Sequence, residues 1–234
     1  MKGMTRVATA AACALLAMGA LSACDSGSED VHKGAGSAPE ARTVPKLDSA
    51  SRLVEVMPSK LAMGEGYYPE SQNPMSNDDP GTPIAYGANL TQDHCRSELR
   101  TGCGGLKAMG SAGYRRANDT TMGVTFNVYS FTTEDDAKAA MKAAIARDAT
   151  DQNLVLKTVK TAPLGDASST TGFMEKGSDA PGAVHVITRS GTILSETRLA
   201  TLPNDVHPYD DAANLAKLQN DRLNKVLAGK NPDA

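Results

Sequence analysis

Residues 124 to 145 constrain the fold more than any other stretch. Val124, Phe126 and Val128 alternate with Thr125, Asn127 and Tyr129, the two-residue period of a strand with one apolar face. Thr132 or Thr133 then caps a helix, and Glu134, Asp135 and Asp136 occupy its first turn, where the positive end of the helix dipole favours acids. Ala137, Ala140, Met141, Ala144 and Ile145 follow at helical spacing. A strand running straight into a one-sided helix must bury both apolar faces in a shared core, which is the layering of an α+β domain.

The last third repeats the pattern. Short strands are expected at Gly172–Lys176, Ala183–Arg189 and Thr192–Leu199, the last two joined by a hairpin turn at Ser190 and Gly191. A long helix follows from Asp210 to Ala228, with Leu215, Leu218, Leu223, Val226 and Leu227 as its buried stripe and Gly229 as its stop. Further strands are expected at Tyr114–Ala117 and Leu154–Lys160, and helices at Asp48–Met57, ended by Pro58, and at Thr91–Leu99. Four prolines between Tyr67 and Pro83 mark a loop. The expected fold is thus a mainly antiparallel sheet with helices packed on one face. Strands-then-helix occurs twice, as in a diverged ββα repeat.

The N-terminus has a different character. Lys2 and Arg6 precede an uncharged, Ala- and Leu-rich run from Val7 to Ala23, the layout of a signal peptide. The run falls short of the roughly 20 residues that span a bilayer. It ends in Leu21, Ser22, Ala23 and Cys24, which resembles the lipobox of bacterial lipoproteins. That resemblance implies cleavage before Cys24 and acylation of its thiol, with the membrane as the first partner and the extracytoplasmic face as the location. Residues 24–46, rich in Gly, Ser and Pro with few large apolar side chains, cannot bury enough surface to fold. As a coil this tether reaches about 25–30 Å. The expected organisation is a signal peptide over 1–23, lipidated N-terminus and tether over 24–46, one globular domain over 47–229, and a tail over 230–234.

Removing residues 1–23 takes away Lys2 and Arg6 and no acid, so the formal charge of −3 becomes two units more negative. With no basic run in the sequence, neither nucleic acid nor an anionic lipid surface is an expected partner. Once Cys13 leaves with the signal peptide and Cys24 takes the lipid, Cys95 and Cys103 remain. Outside the cytoplasm such a pair persists as a disulfide. Eight residues of helix would separate them by about 12 Å, beyond the 4.4–6.8 Å or so that a bridge allows, so the helix must end between them, near Thr101 and Gly102.

His185 lies on the strand face opposite Val184 and Val186, alongside Arg189. If helices cover the valine face, His185 and Arg189, with Asn127 and Tyr129, line a polar cleft on the other side; the plainer alternative is a solvated sheet face. The sequence has no His-Glu-x-x-His, Gly-x-Ser-x-Gly, Gly-x-Gly-x-x-Gly or P-loop motif, and no catalytic residue, metal site or cofactor is assigned.

Several features together resemble the extracellular sensor domain of PknH-type mycobacterial receptor kinases and related stand-alone lipoproteins. They are Cys95 and Cys103, Gly113 and Tyr114, the strand Val124–Phe131 entering an Ala-rich helix, and Val184–Gly191 before a strand and a closing Leu-rich helix. The resemblance spans about residues 48–228 and implies a binding domain with a cleft over a curved sheet and no enzyme activity. Those domains typically carry two disulfides, and this chain has one pair. The Ala, Gly and Asp bias resembles that of high-GC actinobacterial proteins. The resulting expectation is a membrane-anchored lipoprotein whose sensor-like domain binds a small molecule or an envelope protein. An envelope enzyme with an unrecognised site, or a structural envelope protein, is the alternative.

Overall fold

The computed structural model describes residues 47–70, 84–86, 95, 96, 99, 103–116, 119–150, 154–202 and 205–234. The expected signal peptide, Cys24 and the expected tether lie outside the described residues, as does most of the expected helix over 91–99.

Two short helices open the domain, α1 (Ala50–Val56) and α2 (Lys60–Met63). The strands β1 (Tyr67–Glu70), β2 (Ile84–Tyr86), β3 (Leu106–Arg116) and β4 (Asp119–Phe131) come next, then α3 (Glu134–Asp148). The chain continues through β5 (Leu154–Val159), β6 (Ala167–Glu175), β7 (Ala183–Ser190) and β8 (Ile193–Ala200), and closes with α4 (Pro208–Leu227). Among the described residues these strands all pair antiparallel, in the order β1-β3-β4-β8-β7-β6-β5, with β2 also on β3. The strands of each half are therefore closed against one another at β4 and β8, the last strand before each long helix.

The α+β antiparallel architecture agrees with the sequence reading, but the placement of the helices differs. α1 and α4 cover Val124, Phe126, Val128, Val184, Val186 and Leu199. α3 covers the opposite face, where Tyr129, Phe131, Ile187, Leu194 and Met109 meet Ala137, Ala140, Met141 and Ala144. The central strands carry large side chains on both faces, and Val184 to Thr188 are buried without a break, so both faces need a cover. The strands-then-helix order does occur twice, with its two helices on opposite faces.

Local chemistry explains the elements. Thr133 caps α3: its Oγ1 accepts from the Asp136 amide at 3.1 Å and donates to the Asp136 carboxylate at 2.7 Å. Pro208 sits in the first turn of α4, where its missing N–H costs nothing, and Gly229 leaves the helix at φ 66°. β3 is far longer than the expected Tyr114–Ala117. Its Gly110, Gly113 and small side chains lower strand propensity, yet two neighbouring edges hold it in the sheet. Tyr67–Glu70, expected in a loop, is an edge strand with Pro69 on that edge; the rest of that loop, 71–83, is outside the described residues. Gly172 is required by packing, since a Cβ there would collide with the Tyr209 ring at the start of α4.

Candidate functional site

Sequence reasoning singled out Asn127, Tyr129, His185 and Arg189 as walls of a polar cleft. They do lie on the face opposite the valines, but that face is roofed by α3. His185 is 1% exposed, and its Nδ1–H donates to the Asp148 carboxylate, the last residue of α3, at 2.7 Å. Its Nε2 faces the Glu196 carboxylate of β8 at 3.8 Å. Arg147 donates to Asp148 at 3.1 Å and reaches Glu196 at 3.5 Å. Tyr129 donates its hydroxyl to Glu196 at 3.5 Å. Asn127 pairs across the sheet with Glu196. Arg189 is not part of this group: it donates to the Asp166 carboxylate and the Gly191 carbonyl, each at 3.1 Å, and so braces the β7–β8 turn.

Neither an open polar cleft nor a solvated sheet face is present here. The polar side chains are buried because they satisfy one another. Burial alone would raise the Asp148 carboxyl, but the hydrogen bond and charge of His185, and then those of Arg147, outweigh it and hold the carboxyl below the usual carboxylate range. Burial works against the Arg147 charge, and Glu196 and Asp148 more than restore it. A histidine between two carboxylates has the parts of an acid–base relay. Shut off from solvent under α3, it instead serves to pin that helix end to the sheet. Asp148 and Glu196, which complete the cluster, were missed. In sequence each is an ordinary polar residue at a helix end or in an alternating strand, and only the register brings them to His185.

The open site is on the other face. Between α2, the start of β1 and the first half of α4 lies a cavity of about 670 Å³. Met63, Leu202, Leu215 and Leu218 supply its apolar surface, and Arg116, Asp211 and Asn214 its polar groups. Asp211, Asn214, Leu215 and Leu218 fall on one face of α4 by their spacing. Leu215 and Leu218 were expected in the buried stripe. They are only half-buried because Ala212, Ala216, Leu223 and Val226 occupy the core side of the helix and leave those two leucines facing the cavity. The Arg116 guanidinium donates to both Asp205 carboxylate oxygens, at 2.9 and 3.1 Å. Burial opposes its charge, while Asp205 and Tyr67 more than restore it. Asp205 also accepts from the Leu202 amide at 3.0 Å, which fixes the chain leading into α4. Two of the most exposed large apolar residues adjoin this wall in sequence: Leu61 (82%) beside Ala62, and Val206 (81%) beside Asp205.

Cys95 and Cys103 form the expected disulfide, with Cα atoms 6.0 Å apart, in the layer under which α3 packs. Among the described residues no helix is long and apolar enough to cross a membrane.

The protein is therefore an antiparallel α+β domain with a closed charge cluster on one face and an open cavity on the other. No protein-family model and no curated protein sequence matches the chain. Among solved structures it is similar to the extracellular domain of PknH from Mycobacterium tuberculosis, at 12% identity and a TM-score of 0.47, over 76% of this chain and 96% of that one. That domain belongs to the group the sequence motifs resemble. At this distance no residue role carries over.

Proposed function

We propose that this chain is a membrane-anchored extracytoplasmic lipoprotein whose domain binds a small amphipathic molecule without transforming it. The observation that carries the binding role is the cavity walled by α2, β1 and α4. Its volume falls in the range of about 300–1,000 Å³ typical of ligand sites, and it combines apolar surface with a few fixed polar groups. Arg116, held by Asp205, is a rigid cation at its wall. The Leu21–Cys24 motif supports acylation at Cys24, and the Cys95–Cys103 disulfide fits an oxidising compartment.

Titration with the neutral fluorophore N-phenyl-1-naphthylamine tests the cavity. Saturable binding to the full chain is expected, weakened about tenfold or more by Leu215→Asn with Leu218→Asn, since each leucine loses on the order of 1 kcal/mol of apolar contact. Native mass spectrometry against lipid and cell-wall extracts would then identify the natural ligand. Absence of saturable binding, or binding indifferent to both substitutions, would contradict the assignment.

A further inference from the structure

A second cavity, of about 710 Å³, opens at the other end of α4, between its last turn, α1 and the start of α2. Four cations line it: Arg52, Lys60, Arg222 and Lys230, against two acids, Glu55 and Asp233. It is a locally positive site on a chain of net charge −3. Arg52 is committed to Glu55, at 3.1 Å to each oxygen. Neither Lys60 nor Lys230 has a side-chain partner among the described residues.

Arg222 is the centre of the site. Its side chain is 5% exposed. One terminal nitrogen donates to the Asp233 carboxylate and the other to the Glu55 carbonyl at 3.2 Å, while its buried Nε has no hydrogen-bond partner. A buried guanidinium with an unused donor is costly unless something fills the site. Asp233 is the partial occupant. The same carboxylate oxygen that meets Arg222 accepts from the Ser59 hydroxyl at 2.7 Å, and these two bonds hold its carboxyl below the usual range. Lys225 secures residues 232–234 by donating to the Pro232 and Ala234 carbonyls at 3.3 and 2.6 Å.

We infer that this cavity is an anion site for a phosphate group, in which Asp233 occupies the phosphate position and is displaced when ligand binds. A carboxylate held by a guanidinium and a hydroxyl marks where a phosphate oxygen sits. The two unpartnered lysines supply the charge that a dianion needs beyond what Asp233 neutralises, and Arg222 supplies a planar fork of donors suited to phosphate. Val54 and Val226 give the cavity an apolar wall. A lipid phosphate as the source rests on the anchor proposed above; the anion site does not. No run of basic residues announces it, because its cations come from opposite ends of the domain.

Isothermal titration of the full chain with inorganic phosphate and, separately, with dihexanoyl phosphatidic acid tests the inference. Asp233→Asn removes the competing charge, so phosphate affinity is expected to rise about tenfold, as when a binding-competent state becomes fully populated. Lys60→Glu with Lys230→Glu, both surface changes that leave Arg222 in place, is expected to abolish binding. Neither lysine lines the apolar cavity, so fluorophore binding there should persist. Tighter binding of phosphatidic acid than of phosphate assigns a lipid headgroup, and equal binding assigns free phosphate. The inference is overturned if Asp233→Asn binds neither probe, or if the double lysine variant binds as the wild type does.

Discussion

Replacing His185 with alanine tests the claim that the charge cluster pins α3. The ring lies between two carboxylates that are each 3% exposed, Asp148 at 2.7 Å and Glu196 at 3.8 Å. Without it both must share the Arg147 guanidinium, already 3.1 and 3.5 Å away. A hydrogen bond to a charged group contributes about 1.5–3 kcal/mol, and a buried carboxylate left short of a donor loses the full value. Because Asp148 is 3% exposed and its bond to His185 is 2.7 Å long, the upper part of that range applies, about 3 kcal/mol. For a domain of this size that is a fall in Tm of about 6–12 °C. Urea unfolding followed by circular dichroism, in a cycle with Asp148→Asn, separates the pairwise part. The double variant should be less destabilised than the sum of the singles by about 1.5 kcal/mol or more. A cost under about 1 kcal/mol for His185→Ala, or additivity within about 0.5 kcal/mol, would refute the pinning role.

Two further outcomes follow from the same structure. The folded state holds the Asp148 carboxyl below its unfolded value, so its stabilisation is present above the unfolded value and is lost as pH falls through the folded one; unfolding midpoints measured across that acid range should fall for the wild type and flatten for Asp148→Asn. Removing the Cys95–Cys103 bridge, which closes a separation of eight residues, should cost about 2–3 kcal/mol by loop-closure entropy, read as a lower urea midpoint for the double alanine variant.

The elements legible in the sequence were those with strong local signals: the alternating strand before Phe131, the acid-capped α3, the Ser190 and Gly191 turn, and α4 ended by Gly229. β3 was largely hidden because glycine and alanine carry no strand signal, and its partners on both sides hold it in place. The side of the sheet that each helix takes was also hidden. Period-two alternation at His185 separates two faces but does not say whether the polar one meets water or a carboxylate. The sites failed to show for a related reason. Leu215 and Leu218 read as core until other α4 residues are seen to fill the core side. Arg52, Lys60, Arg222 and Lys230 read as scattered surface charge until the fold gathers them.

The anchor is the claim on which location and partners rest, and the intact mass of protein extracted from bacterial membranes tests it most directly. The account predicts a mature chain beginning at Cys24 and heavier by a diacylglycerol on its sulfur, with Cys24→Ser recovered free of the membrane. An unmodified Cys24, or a Cys24→Ser variant that still fractionates with membranes, would contradict it.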